Sequence, residues 1–133
     1  MRKPIVLVTL LPLLCSGCAV VTVPIVTARV GSTDYRMFFD TGAQISYFQD
    51  DSIADFPAAG SLTDFYPGIG QFQTDTHEVP VSLEGVQFTL LCGTLPGQLG
   101  MGLMMADTQG IVGNAILRDR VVAYFPRRRV LGL

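Results

Sequence analysis

The sequence predicts an all-β domain, and three observations predict it. Its 14 glycines and 8 prolines stand singly between short apolar runs, a spacing that suits many short strands joined by tight turns better than long helices. Val79, Val81 and Leu83, then Val86, Phe88 and Leu90, alternate with polar residues on either side of Glu84-Gly85, the pattern of a hairpin with one buried face. Hydrophobic residues make up 49% of the chain and charged ones 15%, which excludes a disordered or solvating chain. At 133 residues one such domain can bury a core without disulfide or metal support, and no repeat or linker divides it.

Taken in order, the first element is open to two readings. No charged side chain occurs from Pro4 to Ala28, and Arg2-Lys3 precede an apolar run, Ile5 to Leu14, that ends in Cys15-Ser16-Gly17-Cys18. A basic start, an apolar stretch and small residues describe an export signal over residues 1–21, and Ser16-Gly17-Cys18 resembles the end of a bacterial lipoprotein signal. The same run is rich in β-branched residues, and the alternative is a first strand. Pro12, Gly17 and Pro24 interrupt it, which disfavours a spanning helix. The first reading puts the protein outside the cytoplasm or on a membrane, the second leaves it cytoplasmic.

The domain proper spans residues 22–133. Val23 to Val30 forms a strand, Gly31-Ser32 a turn, and Tyr35 to Phe39 a second strand that runs into Asp40-Thr41-Gly42-Ala43. Ile45 to Phe48 is a third. Gln49 to Asp64 reads as loop, with a short helical turn at Asp51 to Asp55. Tyr66-Pro67-Gly68-Ile69-Gly70 is a tight turn, because proline presets one backbone angle and glycine tolerates the next. Asn114 to Arg120 is the one helix, capped by Asn114 with Ile116, Leu117 and Val121 on its apolar side. Val121 to Phe125 and Val130 to Leu133 close the chain as strands around a solvated turn at Arg127-Arg128-Arg129.

Several chemistries find no footing. The net charge of −2 draws nothing to nucleic acid. The single histidine, His77, has no ligand set at metal-binding spacing and reads as a solvent-facing strand residue. Cys15 and Cys18 form a C-x-x-C without the strand–helix context of a redox motif, and Cys92, in an apolar strand, is a buried thiol. Three cysteines define no disulfide framework.

Asp40 is the informative residue. A carboxylate directly after the apolar Phe38-Phe39 is costly to bury unless it is hydrogen-bonded or put to use. Gly42 lets the backbone turn its N–H toward that carboxylate, and Thr41 offers a hydroxyl. The segment Phe38-Phe39-Asp40-Thr41-Gly42-Ala43 resembles the retropepsin-like aspartic proteases, single-lobed and of bacterial type. Gly110-Ile111-Val112-Gly113-Asn114-Ala115-Ile116-Leu117 looks like that family's late apolar–glycine segment, and the turn around Pro67-Gly68-Ile69-Gly70 stands where the family has its substrate-covering flap.

What the resemblance implies is a closed single-lobe acid-protease β-barrel with one short C-terminal helix, acting as an aspartic endopeptidase. It assigns Asp40, Thr41 and Gly42 to catalysis, and Ala43, Gly68, Ile69, Gly70, Phe72 and Ile111 to a peptide or protein substrate. It implies no metal and no organic cofactor. The mechanism needs two close carboxyl groups sharing a proton. No second Asp-Thr-Gly or Asp-Ser-Gly occurs, since Asp51-Ser52 is followed by Ile53 and Asp107-Thr108 by Gln109. The partner carboxylate must then be Asp40 of a second copy, which implies a C2 homodimer. In the resembling proteases the residue matching Thr41 bonds across that axis and terminal strands interleave. Two departures stand out: the long segment from Gln49 to Asp64, and Gln44 where a small hydroxyl residue is frequent. The alternative is a non-catalytic dimerisation or peptide-binding module of the same fold.

Overall fold

The computed structural model describes residues 5–7, 9–13, 21–118, 120–125 and 130–133. Six strands close a barrel: β3 (Val21–Val30), β4 (Thr33–Phe39), β9 (Gly110–Val112), β5 (Ser46–Phe48), β8 (Val86–Thr94) and β7 (Gly70–Leu83). Closure comes from Ala28 and Arg29 of β3, which pair with Leu83 and Ser82 of β7. Strand β6 (Ala58–Tyr66) extends from the barrel as the outer strand of a long hairpin with β7. On the far side β2 (Thr9–Leu13) pairs with the first half of β3. A separate three-stranded sheet joins β1 (Ile5–Leu7), β11 (Val130–Gly132) and β10 (Ala123–Phe125).

Alternation along the strands sorts side chains into two apolar clusters. Successive residues of a strand face opposite sides. Met37 and Phe39 therefore enter the barrel with Val26, Val79, Val81, Leu83, Leu90, Cys92 and Val112, while Phe38 between them faces the other way. The second cluster lies outside the barrel wall, where Ala43, Ile45, Tyr47, Leu95 and Ile111 are covered by Leu62, Tyr66 and Phe72 of the hairpin. Each fully buried aliphatic or aromatic side chain contributes roughly 1.5–3 kcal/mol. The second cluster thus ties the hairpin to the barrel. The Glu84-Gly85 turn is the expected two-residue hairpin loop, with both residues at positive φ (49° and 83°) as the strand twist requires.

Three expectations need correction. Residues 58–64 are strand, not loop. Ala58-Ala59-Gly60-Ser61 has little strand propensity of its own, and its regularity comes from pairing with β7, with an irregularity between Ala58 and Gly60. The turn at Asp51 to Asp55 does form, closed by Ala54 N–H on the Asp51 carbonyl (3.0 Å), and it inserts Ile53 into the core.

The second correction concerns the helix. The α-helix among the described residues is α1 (Gly97–Met105), whose three glycines obscure it in the sequence. It forms because Leu99 and Leu103 bury against the second cluster and Thr108 closes its end through the Leu103 carbonyl. Asn114–Leu117, expected to open a helix, is a single 3-10 turn, and Val121 is 88% exposed rather than on an apolar face. Asn114 does not cap; its amide is used elsewhere, as described below.

Third, His77 is half-buried, and its Nδ1 donates to the Phe56 carbonyl (2.8 Å) rather than facing solvent. Cys92 is a buried free thiol, pushed up to about 12 by burial. Cys15, Cys18 and Arg127 to Arg129 lie outside the described residues. Among the described residues no helix is long and apolar enough to cross a membrane.

Candidate active site

The site is built where β9 enters the sheet between β4 and β5. Strand β9 runs parallel to β4 (Phe39 beside Val112) and antiparallel to β5 (Tyr47 beside Ile111). The connection from β4 to β5, residues 40–45, must therefore cross over the end of β9. Gly113 lies under that crossing, and a Cβ there would stand 2.3 Å from the Ile45 carbonyl oxygen and 2.8 Å from that of Ala43. Only glycine fits so close a backbone approach.

The crossing segment is Asp40 to Ile45, and each end is tied down. Asp40 N–H donates to the Val112 carbonyl (3.0 Å), extending the strand pairing by one residue, and Ala43 N–H closes the turn on the Asp40 carbonyl (3.2 Å). Asn114 N–H donates to the Ala43 carbonyl (2.8 Å), and the Asn114 side-chain amide donates to the Thr41 carbonyl (3.2 Å). The buried Ser46 hydroxyl accepts Gly113 N–H (3.1 Å). The Asp40 carboxylate, half-buried, accepts Gly42 N–H at Oδ1 (2.8 Å). A Cβ on Gly42 would come within 3.1 Å of that same oxygen, so the glycine leaves the carboxylate its room.

The β6–β7 hairpin covers this turn. Its tip is a type II turn, with Pro67 presetting the first central position, Gly68 at φ 88° in the second, and Ile69 N–H on the Tyr66 carbonyl (3.1 Å). Below lies a cavity of about 450 Å³ lined by Asp40, Gly42, Ala43, Tyr47 and residues 64–67. The floor and the cover are joined by one polar contact: the Tyr47 hydroxyl donates to Asp64 Oδ2, while Asp64 Oδ1 accepts Phe65 N–H (2.7 Å). The Tyr47 ring, 2% exposed, packs against Phe72 with centroids 5.9 Å apart. Burial, then the hydrogen bond to Asp64, holds the Tyr47 phenol well above its usual range. Tyr66 is shifted upward too, by burial and then by the Asp40 charge.

Of the residues expected at the site, Asp40, Gly42 and Ala43 come together in this cavity, and Thr41 is exposed at the outside of the same turn. Gly68, Ile69 and Gly70 form the tip of the cover without lining the cavity, and Phe72 supports it from the second cluster. Ile111 is 1% exposed and lies buried beneath the site, so it offers no surface to a substrate. Its strand neighbours on both sides cover it.

Sequence reasoning missed Tyr47, Asp64 and Tyr66. For Asp64 and Tyr66 the signal was the period of two in Leu62, Asp64 and Tyr66, hidden because the segment has too few strand formers to announce itself. Among the described residues no group of three or more His, Cys, Asp or Glu side chains is placed to hold a metal ion. No family model matches the chain, and no curated protein matches it.

Proposed function

We propose that this chain is one subunit of a homodimeric, retropepsin-like aspartic endopeptidase. One observation carries the reading: the Asp40 carboxylate stands on a turn fixed at a strand crossing, opening into a cavity covered by a hairpin. A single carboxylate cannot act as acid and base at once, so the reaction takes Asp40 from each of two copies sharing one proton. One takes a proton from water as its oxygen attacks the peptide carbonyl carbon. The other protonates the carbonyl oxygen; the first then passes its proton to the amine nitrogen as the C–N bond breaks, while the second takes one back from the gem-diol hydroxyl. The backbone bonds to Ala43 and Thr41 hold the turn still, which keeps the carboxylate oriented at little cost during reaction.

The test is Asp40→Asn, which keeps size and much of the hydrogen bonding but removes the base. Loss of one general acid–base group costs about 100- to 10,000-fold, and both copies are lost together. Cleavage of a mixed peptide library across acid to neutral pH should vanish in a folded Asp40→Asn protein. Wild-type-like cleavage in that variant would put the activity elsewhere. A wild-type protein that binds peptides and cleaves none would make it a binding module.

A further inference from the structure

The cavity under the hairpin holds a second carboxylate. Asp64 and Tyr66 are two residues apart on β6 and so share one face, turned to the cavity, and Phe65 between them, 65% exposed, borders it at the rim. Among the described residues, none that lines the cavity is a cation. The ion pairs among the described residues, Arg29 with Asp34 and Arg36 with Asp107, involve neither Asp40 nor Asp64. Among the described residues, the charge of Asp64 is met by the Tyr47 hydroxyl and the Phe65 N–H. A carboxylate offers about four acceptor positions, so roughly two remain for a ligand donor.

We propose that Asp64 makes the cleft selective for peptides with a lysine or arginine side chain beside the bond presented to Asp40. The inference rests on the peptide-cleft reading given above. The aliphatic stem of such a side chain suits the walls made by Tyr66 and Pro67, and its charged end suits Asp64. The half-buried Tyr66 ring also offers a face to a cation. Asp64 is already held by two hydrogen bonds, so little side-chain freedom is lost when it meets a ligand. An acidic ligand side chain would face the like charge of Asp64. In a symmetric dimer one Asp64 flanks the paired Asp40 groups on each side.

Binding to the Asp40→Asn protein tests this without cleavage. The probes are fluorescent decapeptides identical except for one lysine, norleucine or glutamate scanned through the central positions. At one position or more the lysine peptide should bind about tenfold more tightly than the norleucine peptide, the scale of one charge-assisted hydrogen bond. The glutamate peptide should bind most weakly. Adding Asp64→Asn, which preserves shape, should bring lysine and norleucine within about twofold. Asp64→Lys, checked for native circular dichroism, should invert the order of lysine and glutamate. Equal binding of lysine and norleucine peptides, a preference that survives Asp64→Asn, or no binding of any peptide would overturn the proposal. Because the readout is binding, a wild-type protein without cleavage would sink the peptidase reading and leave this one standing.

Discussion

Removing the Tyr47 hydroxyl isolates the contact between the cavity floor and its cover. Tyr47→Phe keeps the ring against Phe72 and opens no void. What is lost is one hydrogen bond to a carboxylate, a class that contributes about 1.5–3 kcal/mol. Asp64 faces a cavity of about 450 Å³, so water replaces part of that bond and the lower end applies, about 1.5 kcal/mol. Urea unfolding of wild type, Tyr47→Phe, Asp64→Ala and the double variant reads the pair directly. The expected coupling is about 1 kcal/mol at unchanged m value. Hydrogen exchange adds position: amides of β6 and the first half of β7 should exchange about tenfold faster in Tyr47→Phe, with β8 unchanged. Additivity of the two single variants within about 0.3 kcal/mol would refute the view that this bond ties the hairpin down.

The crossing at Gly113 makes a steric prediction with an internal control. Gly113→Ala should cost about 3 kcal/mol or more in urea unfolding, because the new methyl meets only backbone atoms, at 2.3–2.8 Å, that cannot yield. Gly102→Ala, in α1 with nothing within 4 Å of the added methyl, should instead stabilise by about 0.5–1 kcal/mol; equal effects at both positions would count against this geometry. Cys92 sets an alkaline limit. Its thiol goes from an ordinary 9.0 to about 12 on folding, so its contribution is complete below pH 9 and is lost as pH rises from 9 toward 12, at up to ~1.4 kcal/mol per pH unit. Tyr47 and Tyr66, both shifted upward from 10.0, steepen the fall above pH 10, and Cys92→Ala should flatten the slope between pH 9 and 10; an identical slope in both proteins would exclude the thiol as its source. If two copies share the site, specific activity should fall on dilution through the range where sizing detects monomer, and constant activity through that range would rule out a shared site.

How much of this was legible in the sequence follows from the range of the forces involved. Alternation in Val79 to Leu90 is a local pattern, and the hairpin it predicts is present with its buried face inward. Pro67-Gly68 and Glu84-Gly85 carry backbone preferences in the residues themselves, so both turns were readable. Asp40 could be singled out because a charge next to two phenylalanines is locally improbable unless something holds it. What holds it was not readable. Val112 and Asn114 lie more than seventy positions along the chain, and only the insertion of β9 between β4 and β5 brings their backbone to the turn. The same insertion takes the Asn114 amide to the Thr41 carbonyl and so withholds it from a helix cap. Residues 58–61 are strand only because β7 supplies the partner bonds, and Gly97–Met105 is helix only because two leucines find a cluster to cover. Local propensity thus determined the turns and the alternating strands. Packing between distant segments decided the crossing, the cover and the cavity, because hydrogen bonds and burial act between neighbours in space that no short-range pattern records.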